Sequence, residues 1–170
     1  MGYQLIETIS VGSGGAASIE FTGIDQTGQD LQILVSARMT GNDYAATLRL
    51  QINSDTSTAY TYKYLTGYNG AVQTQSGTSS AELRVQTQFP GALSTANTFG
   101  SASIYFANYT SSTAKSVSVD TVSENNATQA APGIMAGLWN NTSAITGIKV
   151  FADSGVFAEF STASLYKITA

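Results

Sequence analysis

The stretch "TLRLQINSDTSTAYTYKYL", Thr47 to Leu65, decides the fold class. Its first third alternates Leu48, Leu50 and Ile52 with Arg49 and Gln51, a period of two that places apolar side chains on one face of an extended strand. "NSDTS" interrupts the run with residues that favour turns. Alternation then resumes, with Tyr60, Tyr62 and Tyr64 on one face and Ala59, Thr61, Lys63 and Leu65 on the other. Two alternating runs joined by a polar turn describe neighbouring β-strands. The more apolar tyrosine face is expected to turn inward, its hydroxyls finding partners at the edge of a core. A subunit interface and an exposed sugar platform are the other two readings of those rings.

The same pattern runs the length of the chain. "SIEFT" sets Ile19 and Phe21 against Glu20 and Thr22, "LQILVSARM" aligns Leu31, Ile33, Val35, Ala37 and Met39, and "AELRVQT" aligns Ala81, Leu83 and Val85. Further strands are expected in "GSASIYFANY", "KSVSVDT", "GIMAGLW", "ITGIKVFA", "VFAEFS" and "ASLYKIT". The apolar parity slips across Gly147 in "ITGIKVFA", which predicts a bulge. The opening "YQLIETISV" carries Glu7 in phase with Leu5, Ile9 and Val11, the mark of an edge strand defended by a charge or laid against a partner. "GSGG" at 12–15 reads as a hairpin loop between the first two strands. Two longer loops are expected at 66–80 and 122–133, the second containing Asn126. About ten to twelve short strands predict an all-β, antiparallel β-sandwich, jelly-roll-like, forming a single domain over residues 1–170.

Composition supports that class and removes several others. Ser and Thr number 43 and Gly 16, whereas charged residues make up only 11%. The polar surface is therefore neutral, built from residues that suit strands and turns rather than helices. Val, Ile, Leu and Phe total 37 of 170, enough for a core in a chain of this size. A net charge of −4 with seven dispersed Lys and Arg gives no basic patch for nucleic acid. The N-terminus has neither the basic nor the long apolar region of a secretion signal, and no run approaches the ~20 apolar residues of a membrane helix.

The chain has no Cys and no His, which removes disulfides, thiolate and Ser-His nucleophiles and the usual zinc ligands. No catalytic residue, metal ligand or cofactor is expected. A glycosidase needs only two carboxylates and stands as a third reading, although none of the eleven acidic residues lies in a recognisable motif. "DQTGQD" at 25–30 and "NSDTS" at 53–57 alternate oxygen ligands but lack the calcium-loop Gly and terminal Glu, and read as Asx-type turns. The N-x-S/T triplets at Asn108, Asn126, Asn140 and Asn141 fall within chance for such a composition, so no glycan is expected. Trp139 in "AGLWNNT", preceded by Ile134, Met135 and Leu138, is expected to close the core, with a subunit seam as its other placement.

Taken in order, "LIETISVGSGGAASIEFTGI", "NTFGSASIYFANYTSSTAKSVSVD", "ENNAT", "AGLWNNTSAIT" and "FSTASLY" resemble a family of small tailed-bacteriophage virion proteins across nearly the whole chain. "GIDQTGQDL" departs from the family pattern, which often carries a proline and an aromatic there, and alters a loop rather than the strands. The resemblance implies a β-sandwich structural protein without enzymatic activity. Within the family the unit serves either as a free-standing protein or as a terminal domain of tail-fibre-like chains. A chain that starts at Met1 and ends at its last strand leaves no room for a fibre shaft, which favours a head decoration, or cement, protein. The implied partner is the major capsid protein, the implied assembly a homotrimer, and the implied location the virion head surface after synthesis in the host cytoplasm. Gly2, Tyr3, Gln4 and Leu5, ahead of the first regular strand, together with Glu7, are the expected arm for capsid or sister-subunit contact; Tyr68 and Asn69 are the expected exposed loop contacts. The alternative is a tail module that binds a receptor or glycan through Tyr68 and Trp139 around a groove of Asn and Asp.

Overall fold

The structure, a computed structural model, describes residues 2–68, 70–125 and 130–169. These residues form twelve named strands: β1 (Gly2–Ser10), β2 (Ser18–Thr22), β3 (Asp30–Ala37), β4 (Ala45–Ile52), β5 (Tyr60–Tyr68), β6 (Ala71–Ser80), β7 (Leu83–Pro90), β8 (Gly100–Phe106), β9 (Lys115–Glu124), β10 (Ala130–Trp139), β11 (Gly147–Ala152) and β12 (Thr162–Thr169). They form two antiparallel sheets, of order β1-β12-β3-β8-β9-β10-β5-β6 and β2-β11-β4-β7. Setting aside the hairpins β5–β6 and β9–β10 leaves eight strands in two blocks of four. In them the first strand pairs with the last, the second with the second last, the third with the sixth and the fourth with the fifth. That nesting is a jelly roll. The two hairpins widen one of its sheets from four strands to eight.

The core lies between the sheets, where the alternating side chains of both meet. Leu48, Leu50 and Ile52 of β4, Ile33 of β3, Ile104 and Phe106 of β8 and Leu165 of β12 are fully buried. β7, at the edge of the smaller sheet, packs over β9, β10 and β5, so Leu83 and Val85 roof the added hairpins. Tyr60, Tyr62 and Tyr64 join this core, as their parity predicts. The Tyr60 hydroxyl accepts from the Ile52 N–H at 2.9 Å and lies 3.2 Å from the Ile52 carbonyl and 3.1 Å from that of Asp55. Trp139, paired with Tyr60 across β10 and β5, is also core, its indole N–H donating to Asp55 Oδ2 at 2.8 Å.

Several local expectations are corrected. "GSGG" does not close a hairpin, because β1 and β2 lie in different sheets and the segment crosses the edge of the sandwich. "VFAEFS" is likewise a crossing between sheets: Phe157 is pinned by isolated bridges to Ala16 and Met39, and Phe160 sits exposed at φ 69°. Gly147 begins β11 in unbroken register with β2 and β4, so the parity slip marks a strand end and not a bulge. The two long loops prove to be hairpins, β5–β6 and β9–β10, whose second strands begin at Ala71 and Ala130. Part of the second turn, including Asn126, lies outside the described residues.

Candidate functional site

The outer faces of the two sheets differ in chemistry. On the smaller sheet Glu20, Arg49, Arg84 and Lys149 point away from the core, with Glu82 and Asp153 beside them. Arg49 contacts Glu82 and lies 3.8 Å from Asp153; Lys149 lies 3.3 Å from Glu20 and 5.7 Å from the centre of the Phe151 ring. This is a solvated, salt-bridged face.

The larger sheet presents a neutral grid. Cross-strand register aligns outward residues in rows such as Thr74, Leu65, Ile134, Asp120, Ser103, Leu34, Ser164 and Thr8 from β6 to β1. Lys63, Asp120 and Glu124 are the exposed charges among the described strand residues of this face; Asp30 is buried there. Ser and Thr fill much of the rest, with the large apolar Leu65, Val72, Val122 and Ile134 exposed at the β9–β6 end. A shallow apolar depression of about 450 Å³ lies over β5, β10 and β9, floored by Leu65, Ile134 and Ala136 and flanked by Lys63 and Asp120.

A second cluster occupies the opposite end. Tyr3 and Leu5 of β1 share the outward face with Tyr166 of β12 and Tyr105 of β8. The Tyr3 and Tyr166 rings meet edge to face at 6.5 Å. The Tyr105 hydroxyl donates to Asp30 Oδ2 at 2.6 Å, and this bond to a carboxylate pushes the phenol up to about 12. Asp30 also accepts from the Asn108 N–H at 2.7 Å, which fixes its orientation beneath the ring.

The sequence-predicted contact residues therefore separate. Gly2, Tyr3, Gln4 and Leu5 are exposed, but they belong to β1, hydrogen-bonded to β12, and do not form an arm ahead of it. Glu7 does not share the face of Leu5. A bulge between them inserts Ile6, so Leu5 stands opposite Tyr166 and Glu7 opposite Leu165, on opposite sides of the sheet. Tyr68 is half-buried at the end of β5 opposite Ala71 and not an exposed loop residue, and Asn69 lies outside the described residues. Tyr105 and Tyr166 escaped the sequence reading because each stands alone among inward-facing neighbours, Tyr105 between Ile104 and Phe106 and Tyr166 between Leu165 and the buried Lys167. Their odd parity beside Ile104 and Phe106, and beside Leu165, was the signal.

The two acidic loops are closed turns. Asp25 accepts from the Thr27 N–H and hydroxyl and from Lys167 Nζ; these bonds, Thr27 first, hold its carboxyl down at about 2. Asp55 accepts from Ser57 N–H, Trp139 and Asn141. Their oxygens are thus engaged by protein donors, and among the described residues no three metal-ligating side chains cluster. Trp139 is buried and Tyr60, Tyr62 and Tyr64 lie inside, so those rings offer no platform for a sugar. Compared with known proteins, the chain matches no protein-family model and no curated sequence.

Proposed function

We propose that this protein is a non-enzymatic structural component of a tailed-bacteriophage virion, a decoration protein that binds the outside of the head shell and stabilises it. The observation that carries the reading is the division of charge between the outer faces of the two sheets: that of the smaller sheet carries the ion pairs of Arg49 and Lys149, while that of the eight-stranded sheet presents Ser, Thr and exposed aliphatic residues. A face of that kind buries area without the cost of desolvating charges, and eight strands ~4.8 Å apart and roughly 25 Å long span an area on the scale of the ~800 Å² per partner of a stable interface. In this reading the larger sheet lies against the major capsid protein and the smaller faces solvent, with copies arranged as a homotrimer on the head surface. The resemblance of the ordered segments to small virion proteins points the same way.

The test is location and occupancy. Labelled protein added to heads lacking it is expected to bind the shell, and Ile134→Asp to lower occupancy at least tenfold while leaving the fold intact. Lys149→Glu, on the other sheet, is expected to bind as the parent does. Label confined to tails, or equal binding by Ile134→Asp, overturns the proposal. The Tyr3, Tyr105 and Tyr166 cluster favours a second reading, a tail module that stacks these rings on a glycan. Glycan-array binding that disappears with Tyr166→Ala would select it.

A further inference from the structure

The molecule has four sheet edges, and three of them are blunted. β1 carries Glu7 and a bulge after Leu5. β2 is five residues long and carries Glu20. β7 carries Arg84, meets β4 through a register shift and ends on Pro90. Charges, short strands, bulges and prolines are the devices that prevent edge-to-edge pairing. β6 has none of them over most of its length. "AVQTQSG", Ala71 to Gly77, is uncharged, free of proline and in unbroken register with β5. Its one irregularity lies beyond Gly77, where Ser79 adopts φ 52°. Nearly every residue of β6 is exposed, and among the described residues no strand pairs with its outer side.

We infer that β6 is a docking edge for β6 of a second copy, paired antiparallel across a twofold axis at Thr74. This goes beyond the function proposed above and does not depend on it. The backbone parity supports the axis. The turn closes on the pair Tyr68–Ala71, so Ala71, Gln73 and Gln75 bond back to β5 and the N–H and C=O groups of Val72, Thr74 and Ser76 point outward. A twofold at Thr74 sets Thr74 opposite its own copy, Val72 opposite Ser76 and Gln73 opposite Gln75. All three outward-pointing residues then find partners, giving about six inter-copy backbone hydrogen bonds over roughly 23 Å of strand. No like charges meet, because β6 has no charge. A Thr–Thr cross-strand pair at the centre is a favourable one. Val72, the most exposed of the large apolar residues, is covered along its edge side.

The same axis stands perpendicular to the sheet, so the two eight-stranded sheets join into one with their neutral faces on the same side. Both copies can therefore lie on one surface, and pairing adds to a threefold contact without competing for the face.

The test uses the intact chain. By size-exclusion chromatography with light scattering, the parent is expected to have a greater mass than Thr74→Lys, twice as great where β6 is the sole contact between copies, since two ammonium groups would then stand opposite each other at the axis. The chain has no Cys, so single-cysteine variants report register directly. Thr74→Cys is expected to form an inter-copy disulfide under mild oxidation, because a bonded pair places its Cα atoms about 5.5 Å apart. Thr78→Cys, displaced by four residues in each copy, is expected to stay reduced. Equal masses for the parent and Thr74→Lys overturn the inference. So does a fall in mass without cross-linking of Thr74→Cys, which would mean that β6 pairs with a different strand.

Discussion

Removing one oxygen from Tyr60 tests how the tyrosine strand is held. Tyr60 is completely buried, and its hydroxyl accepts from the Ile52 N–H at 2.9 Å near the end of β4. Tyr60→Phe keeps the ring and its packing but strands that buried donor, which costs roughly 1–3 kcal/mol. For a chain of this length the loss corresponds to a fall in Tm of about 3–9 °C. Tyr62, on the same face, supplies the control: no hydrogen bond is seen for its hydroxyl among the described residues, and Tyr62→Phe is expected to change stability by less than ~0.5 kcal/mol. Equilibrium unfolding in urea, followed by Trp139 fluorescence, reads both variants against the parent. Equal stabilities for Tyr60→Phe and the parent would refute the view that the hydroxyl, and not only the ring, ties β5 to the β4 turn.

Three further outcomes follow from the same contacts. Burial pushes the Tyr60 phenol up to about 12, and the Asp30 carboxylate does the same for Tyr105. Between pH 10 and 12 the unfolded chain loses these protons first, so the folded state binds more of them and stability is expected to fall as pH rises; a flat profile there excludes the effect. Asp25, held at about 2, acts in the opposite sense: its contribution is present above pH 4 and lost as pH falls towards 2, and Asp25→Asn is expected to flatten that limb of an acid titration. Gly15 sits at φ 77° with Phe157 O 2.6 Å from where a Cβ would stand, so Gly15→Ala is expected to cost more than ~1 kcal/mol in the same unfolding assay.

Much of the sandwich was legible in the chain because alternation is a local property. Leu48, Leu50 and Ile52 announce a half-buried strand wherever that strand ends up, and Tyr60, Tyr62 and Tyr64 announce their inward turn in the same way. The candidate site was less legible. Tyr3 and Leu5 were expected in an arm and instead lie in β1; only the register with β12 shows that they stand beside Tyr166, and only the bulge at Ile6 separates them from Glu7. β6 escaped because an edge strand held by its backbone and exposed on both sides needs no apolar pattern to mark it.

By itself, then, the sequence determined which residues are extended, which side of most strands is dry, and that the surface is largely neutral. Only the tertiary structure decided which strands are neighbours, which sheet carries the ion pairs and which edge is left open. Those are consequences of backbone pairing between segments up to 167 residues apart, such as Gly2 with Thr169, and backbone groups are the same at every position whatever side chain they bear.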